Sequence, residues 1–525
     1  MKSTRVSRRN LLQSGVLITA ASGLTRGQTA KTAPTATSDS PNVYDAIGVR
    51  PLINCKGTFT IITGSLTLPE VKKAMDEASR YFVHLDELME AVGKRLAELT
   101  GAEWGIVTAG CAAAMTLATC ACVAGSSPEK IQRLPNLAGL KDEVIIPKYS
   151  RNVYDHAIRM VGPKIITVDS LSALEHALGP RTAMVYVLAG PDDTGPFGLE
   201  PIANLAHSFG VPVFVDAAAE GLTPEVHLRR GADLVGYSGG KALRGPQCAG
   251  LLLGRKDLCQ AAWINSAPHH AFGRSLKVGK EEIMGMLAAV EMWYKRDHAA
   301  EWRTWEEWLD EIARTVKEVP GVTTAVIQPK SLSNHSPSLE IRWDGTKLGI
   351  SGQEVFNTLL DGNPRIQLYA YKGTRRQASE SSVSVFPWMM QPGEATIVAR
   401  KLRAVLASPP ARAPESAAAV PAQVAGGWDL HLQFSLGKEK HYVFLEQTGE
   451  NLAGAHLGET LIGRLTGSVQ GNQIEFRSVQ PIEGTRLHFH FQGRVNSAES
   501  MEGVVDLGEY GQARWSAGRS TKKQG

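Results

Sequence analysis

Cysteine is scarce in this chain: Cys55, Cys111, Cys120, Cys122, Cys248 and Cys259 are six in 525 residues. Their spacings match no zinc or disulfide framework, which excludes a metal-stapled or disulfide-stapled scaffold and predicts no metal centre. Most stand in small apolar surroundings such as TLATCACVAG, a context that predicts buried free thiols. An excess of charge of one sign is also missing. The net charge is +4, but residues 1–30 hold Lys2, Arg5, Arg8, Arg9 and Arg26 and no acid, so without them it becomes −1. A nearly neutral body has no bulk attraction for nucleic acid or anionic lipid, and none is expected as a partner. No apolar run at the N-terminus is long enough to remain in a bilayer as an anchor.

What the N-terminus does have is order. SRRNLLQSGVLITAASG has paired arginines, then a weakly apolar run, and GQTA follows as a small-residue cleavage site. This resembles a twin-arginine export signal, with Leu11 and Leu12 after Arg8 and Arg9. The reading predicts a signal over residues 1–30, a polar linker over 31–42 and a periplasmic location. That route carries folded proteins, which suits an enzyme that acquires a cofactor before export.

From residue 43 to 408 short apolar runs alternate with helical patterns. EVIIP (143–147), KIITV (164–168), TAMVYVLAG (182–190), VPVFVDA (211–217) and ADLVGYS (232–238) read as strands buried on both faces, hence a parallel sheet. EPIANLAHSFG (200–210) reads as a helix ending on Gly210. The βαβ alternation predicts a doubly wound α/β domain over 43–295. Residues 280–318 read as one long amphipathic helical stretch leading into a smaller α+β domain over 296–408. PPARAPESAAAVPAQVA (409–425) is a Pro/Ala-rich linker.

Beyond it, over 426–517, short alternating segments separated by glycine turns predict an antiparallel barrel or sandwich of roughly eight strands. His488 and His490 share a strand face there, and a solvated polar face is preferred to a metal site with His431 or His441. No catalytic constellation is visible in this part.

The chemistry concentrates in three places of the α/β part. Asp216 ends a buried strand, where open parallel sheets bind ligands. Lys241 follows the next strand in GYSGGKALRGPQ, where Gly239 and Gly240 let the backbone bend close to a ligand. A lysine amine is a nucleophile when neutral, and an aspartate facing a pyridine nitrogen keeps that ring protonated. WGIVTAGCAAAM adds a strand, a small-residue turn at Gly110 and an Ala-rich helix, whose first amides and dipole favour a phosphate.

With these residues the segment 43–408 resembles the fold-type I pyridoxal phosphate enzymes, which share an aspartate aminotransferase-like large domain. Within them it resembles the selenocysteine synthase (L-seryl-tRNA selenium transferase)-like group, which includes D-glucosaminate-6-phosphate ammonia lyase. The matching stretches are GVRPLINCKGTFTIITGS, LTGAEWGIVTAGCAAAM, VPVFVDAAAE, YSGGKALRGPQCAGLLLGRKDL and FGRSLKVGKEEIMGMLAAVE. The resemblance implies pyridoxal 5′-phosphate as cofactor, Lys241 as the aldimine-forming and proton-moving lysine, and Asp216 as the partner of the pyridine nitrogen. It further implies backbone N–H groups of Gly110, Cys111 and Ala112 on the phosphate, with Ser238 as a hydroxyl partner and Arg244 nearby. Asn54, Thr58, Arg274 and Arg375 (or Arg376) become candidates for substrate binding. PDDTGPFG (191–198) departs from the group by placing acids where an Asn-containing turn is usual.

The activity implied is α,β-elimination on a small amino acid or amino sugar acid. A selenocysteine synthase-like transfer shares its first steps and stays open, as does a non-catalytic secreted binding protein on the same scaffold. Family resemblance also implies a homodimer or larger assembly.

Overall fold

The computed structural model describes residues 42–410 and 420–521; the expected signal, most of the first linker and residues 411–419 lie outside the described residues. Contacts divide the chain into Met1–Arg50 and Pro51–Gly525. The described part of the first unit is a single 3₁₀ turn, Asp45–Ile47, closed by Gly48 at φ 74°.

In the second unit the strands are β1 (Leu52–Cys55), β2 (Trp104–Thr108), β3 (Glu143–Pro147), β4 (Lys164–Val168), β5 (Thr182–Leu188), β6 (Val213–Asp216), β7 (Leu234–Ser238) and β8 (Gly250–Gly254). Seven of them form one sheet in the order β2-β8-β7-β6-β5-β3-β4. Strands β3 to β7 are parallel, and β5 and β6 are buried nearly end to end because their runs of Val, Tyr, Met and Phe are covered on both faces. The sheet is not purely parallel: β8 runs antiparallel to both β2 and β7. The parallel order reverses between β3 and β5, and such a reversal opens a crevice beyond the carboxyl ends of the strands.

The long helical stretch is two helices, Lys280–Lys295 and His298–Val316. Arg296 is extended, and the Asp297 carboxylate restarts the helix by accepting the Ala300 N–H at 2.9 Å. The second helix belongs to a separate core with β9 (Thr323–Ile327), β10 (Ser338–Trp343), β11 (Arg365–Leu368), β12 (Ala370–Lys372) and β13 (Ser381–Val385). Strand β1 joins this core, pairing parallel with β11, so Ile53 and Cys55 are buried against the small domain.

The C-terminal part is a closed barrel of eight strands, β14 (Gly426–Gln433), β15 (Lys438–Thr448), β16 (Asn451–Leu457), β17 (Ile462–Gln470), β18 (Gln473–Ile482), β19 (Thr485–Ser497), β20 (Ser500–Asp506) and β21 (Gln512–Arg519). Pairing of β14 with β21 closes it, and a third core of Trp428, Phe476, Phe491 and Trp515 fills it. His490 pairs with Glu475, and the described residues contain no cluster of metal-ligating side chains. No helix among the described residues is long and apolar enough to cross a membrane. All six cysteines are unpaired; Cys248 is exposed, whereas Cys55, Cys111, Cys120 and Cys259 are buried.

Candidate active site

Asp216 ends β6 with its residue 3% exposed, and an ionised carboxylate that deep must be hydrogen-bonded. Its Oδ2 accepts the Tyr186 hydroxyl at 2.8 Å, and its Oδ1 accepts the Ala218 N–H at 3.0 Å. The Cys111 thiol lies 3.6 Å from Oδ1 and donates to it. Tyr186 in turn accepts from Asn152 Nδ2 at 3.0 Å, and that amide also donates to the Ser150 carbonyl at 2.9 Å. The carboxylate is thereby aimed by side chains from β5, from the segment after β3 and from the helix after β2.

That helix, Cys111–Ala124, begins at Gly110, whose φ of 86° and ψ of 167° suit glycine alone. The Thr108 hydroxyl donates to the Gly110 carbonyl at 2.9 Å and holds the turn. The first-turn amides of Cys111, Ala112 and Ala113 meet no acceptor among the described residues, and the dipole of a 14-residue helix adds to their pull on an anion. Strand β8 backs the turn closely: a Cβ on Gly250 would sit 2.6 Å from the Gly110 carbonyl carbon and 2.7 Å from the Cys111 nitrogen. Burial pushes the Cys111 thiol up; the Asp216 charge adds to this and the Lys241 charge opposes it. Cys111 is thus a direct neighbour of the Asp216 carboxylate.

Lys241 sits in the turn after β7, which ends at Ser238 opposite Gly250. The two glycines before it are packed against protein. A Cβ on Gly239 would strike the Met286 sulfur at 2.6 Å and the Ala249 carbonyl at 2.7 Å, and one on Gly240 would strike Gln247. They let the turn pack closely on the protein behind it. The segment before the first long helices is stitched to the same turn, with Ser65 N–H donating to Gly240 O and Leu68 N–H to Arg244 O, both at 3.0 Å.

The other predicted residues are placed as follows. Arg244, at φ 52°, donates from Nε to the Leu66 carbonyl at 3.0 Å. It lines a cavity of about 460 Å³ with Trp293, Trp305, Arg296 and Glu301. Burial and the neighbouring Arg296 lower its pKa. Arg274 is exposed on the loop that follows the helix Lys256–Ile264. Arg375 is exposed on the small domain and pairs with Glu354 at 2.8 Å; the Arg376 side chain lies outside the described residues. Asn54 uses its amide on its own turn, accepting from Lys56 and Gly57 N–H and donating to the Gly57 carbonyl. Thr58, next to that turn, is buried. In the acidic turn, Asp193 is buried, accepts the Gly190 N–H and pairs with Arg230 at 3.1 Å, so it serves the loop itself.

Sequence reasoning missed Tyr186, Asn152 and the thiol side of Cys111. One signal was present: a tyrosine inside a wholly apolar strand needs a partner for its hydroxyl. The donor set as found fits pyridoxal phosphate. Free helix amides suit its phosphate, a buried and aimed carboxylate suits its ring nitrogen, and an amine stands at the neighbouring strand end.

Comparisons with known proteins agree with this fold. The family profile described as "L-seryl-tRNA selenium transferase" matches residues 201–319. D-glucosaminate-6-phosphate ammonia lyase of Salmonella typhimurium is 28% identical over 379 residues, covering 70% of this chain and 98% of that protein. 5′-C-glycyluridine monooxygenase-decarboxylase of a Streptomyces species is 31% identical over 383 residues, covering 69% and 92%. A solved structure of D-glucosaminate-6-phosphate ammonia-lyase superposes with a TM-score of 0.61 at 25% identity, covering 70% of this chain and 98% of that one.

Proposed function

Because the chain belongs to the selenocysteine synthase (L-seryl-tRNA selenium transferase)-like family of fold-type I pyridoxal phosphate enzymes, we propose that it catalyses α,β-elimination, in the manner of an ammonia lyase, on a small amino acid or amino sugar acid. The observation that carries the proposal is the buried Asp216 carboxylate at the end of β6, held by Tyr186, Ala218 and Cys111 beside the open amides of the Gly110 turn, with Lys241 in the turn after the neighbouring strand β7, joined to a lyase relative matched over 98% of its length.

Pyridoxal phosphate, when bound, supplies a conjugated sink for electrons released at the substrate's α-carbon. The chain's residues set up that use. The first-turn amides after Gly110 would hold the phosphate. Asp216, fixed by Tyr186 and Ala218, would accept the ring N–H and favour its protonated form. Lys241 would hold the cofactor between turnovers and take the α-proton, and the elimination so assigned expels a β-substituent with its electron pair. A small-molecule substrate is supported by the near-neutral net charge outside residues 1–30, which gives no bulk attraction for tRNA.

A second reading, oxidative decarboxylation at the α-carbon, is favoured by the 31% identity to the monooxygenase-decarboxylase. Both readings begin with a labilised bond at that carbon. Incubating the cofactor-loaded enzyme with amino acids and amino sugar acids separates them. Elimination releases ammonia and a keto product without oxygen; uptake of oxygen with release of carbon dioxide would establish the second reading instead.

The same reading includes export by residues 1–30 and assembly as at least a homodimer. A reporter fused to residues 1–30 reaches the periplasm when Arg8 and Arg9 are intact, and retention of the unaltered fusion in the cytoplasm would refute export. A purely monomeric holoenzyme in sedimentation would refute assembly.

A further inference from the structure

The motifs shared with the family lie between residues 48 and 291, and 70% of this chain accounts for 98% of the lyase relative. The barrel has its own core and a place beside the cofactor site that needs explaining. Antiparallel hairpins alternate between the two ends of a barrel, so the turns at 483–484 and 508–511 share one end. That end meets the segment after β3.

The contact is made by a hairpin loop of two residues, Glu483 and Gly484, between the paired Ile482 and Thr485. Glu483 has φ 47°, at a position where glycine is the favoured residue. A glutamate held there is exchanging backbone comfort for its side chain. Its Oε2 accepts from Arg151 Nη2 at 2.7 Å. The Arg151 guanidinium also donates to Asp155 Oδ2 and to Thr167 Oγ1, each at 2.6 Å, so all three nitrogens are used. Gly484 completes the contact: a Cβ there would fall 2.1 Å from the Asn152 carbonyl oxygen and 2.5 Å from Asp155 Oδ2. The buried Asp155 is held further by Arg159 at 3.3 Å.

Arg151 and Asp155 bracket Asn152, the residue whose amide bonds Tyr186 and thereby Asp216. Asn152 Oδ1 also accepts the Tyr154 N–H at 2.8 Å, so its side chain has no freedom separate from this segment. Val153 lines a cleft of about 500 Å³ with Thr485, His488 and Tyr510 of the barrel.

We infer that the barrel braces the cofactor site. Glu483 and Gly484 are positioning residues that lock the Arg151–Asp155 segment, so that Asn152 and Tyr186 hold Asp216 where it meets the ring nitrogen of pyridoxal phosphate. The barrel is thus a structural part of the catalytic unit. Its end facing the large domain is constrained, and its opposite end, with the turns at 449–450, 471–472 and 498–499, is free of this duty.

The test titrates pyridoxal 5′-phosphate into cofactor-stripped, full-length protein and follows the visible band. Glu483→Gln and Gly484→Ala are each expected to weaken cofactor binding by fivefold or more and to shift the band, while far-ultraviolet circular dichroism stays that of the unaltered, folded protein. Glu499→Gln, at the opposite end, is expected to change neither. Binding within twofold of the unaltered protein in both folded variants would overturn the inference, as would an equal loss in Glu499→Gln. An unaltered chain that takes up no cofactor would instead overturn the reading on which the inference rests.

Discussion

The Tyr186 hydroxyl and Asp216 Oδ2 lie 2.8 Å apart on neighbouring parallel strands, in a place where neither side chain reaches water. Burial, and then the adjacent carboxylate, push the tyrosine pKa well up, which favours its role as the donor of this pair. The pair converts a strand-end aspartate into a fixed acceptor aimed at one point.

Tyr186→Phe removes that donor and leaves the carboxylate short of a bond. A hydrogen bond to a charged group is worth about 1.5–3 kcal/mol, so cofactor affinity should fall roughly tenfold to a hundredfold. Equilibrium titration of the stripped protein measures it, and a change below twofold would contradict the role given to Tyr186.

Gly110→Val places a branched side chain at a φ of 86° that only glycine adopts easily. Such strain costs of order 1–3 kcal/mol. A Cβ there has no neighbour nearer than the Cys248 carbonyl at 3.9 Å, so the β-carbon itself is not crowded. Relief by re-forming the turn would disperse the three first-turn amides. The expected outcome is loss of affinity for pyridoxal phosphate with a smaller fall in melting temperature. Unchanged affinity would remove the phosphate role from this turn.

Acid should weaken the barrel before it affects the sheet domain. His456 is fully buried, and its Nε2 is 2.8 Å from His441 Nδ1. Burial first, and then the neighbouring His441, lowers its pKa to about 3. A histidine kept neutral in the folded state gains protons on unfolding, so stability is full above the unfolded value near 6.5 and declines as pH falls toward the folded value. About 2 kcal/mol should be gone by pH 5. Denaturant unfolding followed by barrel tryptophan fluorescence at pH 7 and pH 5 measures the loss, and His456→Leu should flatten it. Equal stability of the unaltered protein at both values would contradict the assignment.

How much of this was legible in the sequence depends on range. Asp216, Lys241 and Gly110 were readable because each stands at the end of its own strand or the start of its own helix, a local fact. Tyr186 and Asn152 were not. Their meeting with Asp216 depends on β5 lying beside β6 and on β3 lying next to β5, and strand order is set by packing across the whole sheet. The direction of β8 was hidden for a related reason, since GLLLG has the same pattern read either way. The break between the two long helices did carry a signal: Asp297 stands three residues before the amide it caps. The amphipathic pattern on either side concealed it. Eight alternating segments implied barrel or sandwich, and only the pairing of β14 with β21 decides for the barrel.

The central claim is that Lys241, Asp216 and the Gly110 turn form one pyridoxal phosphate site. The absorbance spectrum of the purified chain tests it most directly. A visible band from lysine-bound cofactor is expected in the unaltered protein. Lys241→Ala is expected to lose this band and roughly 10²–10⁴-fold of activity while retaining its fold. A colourless protein that takes up no added pyridoxal phosphate, or a Lys241→Ala variant with an unchanged band, would contradict it.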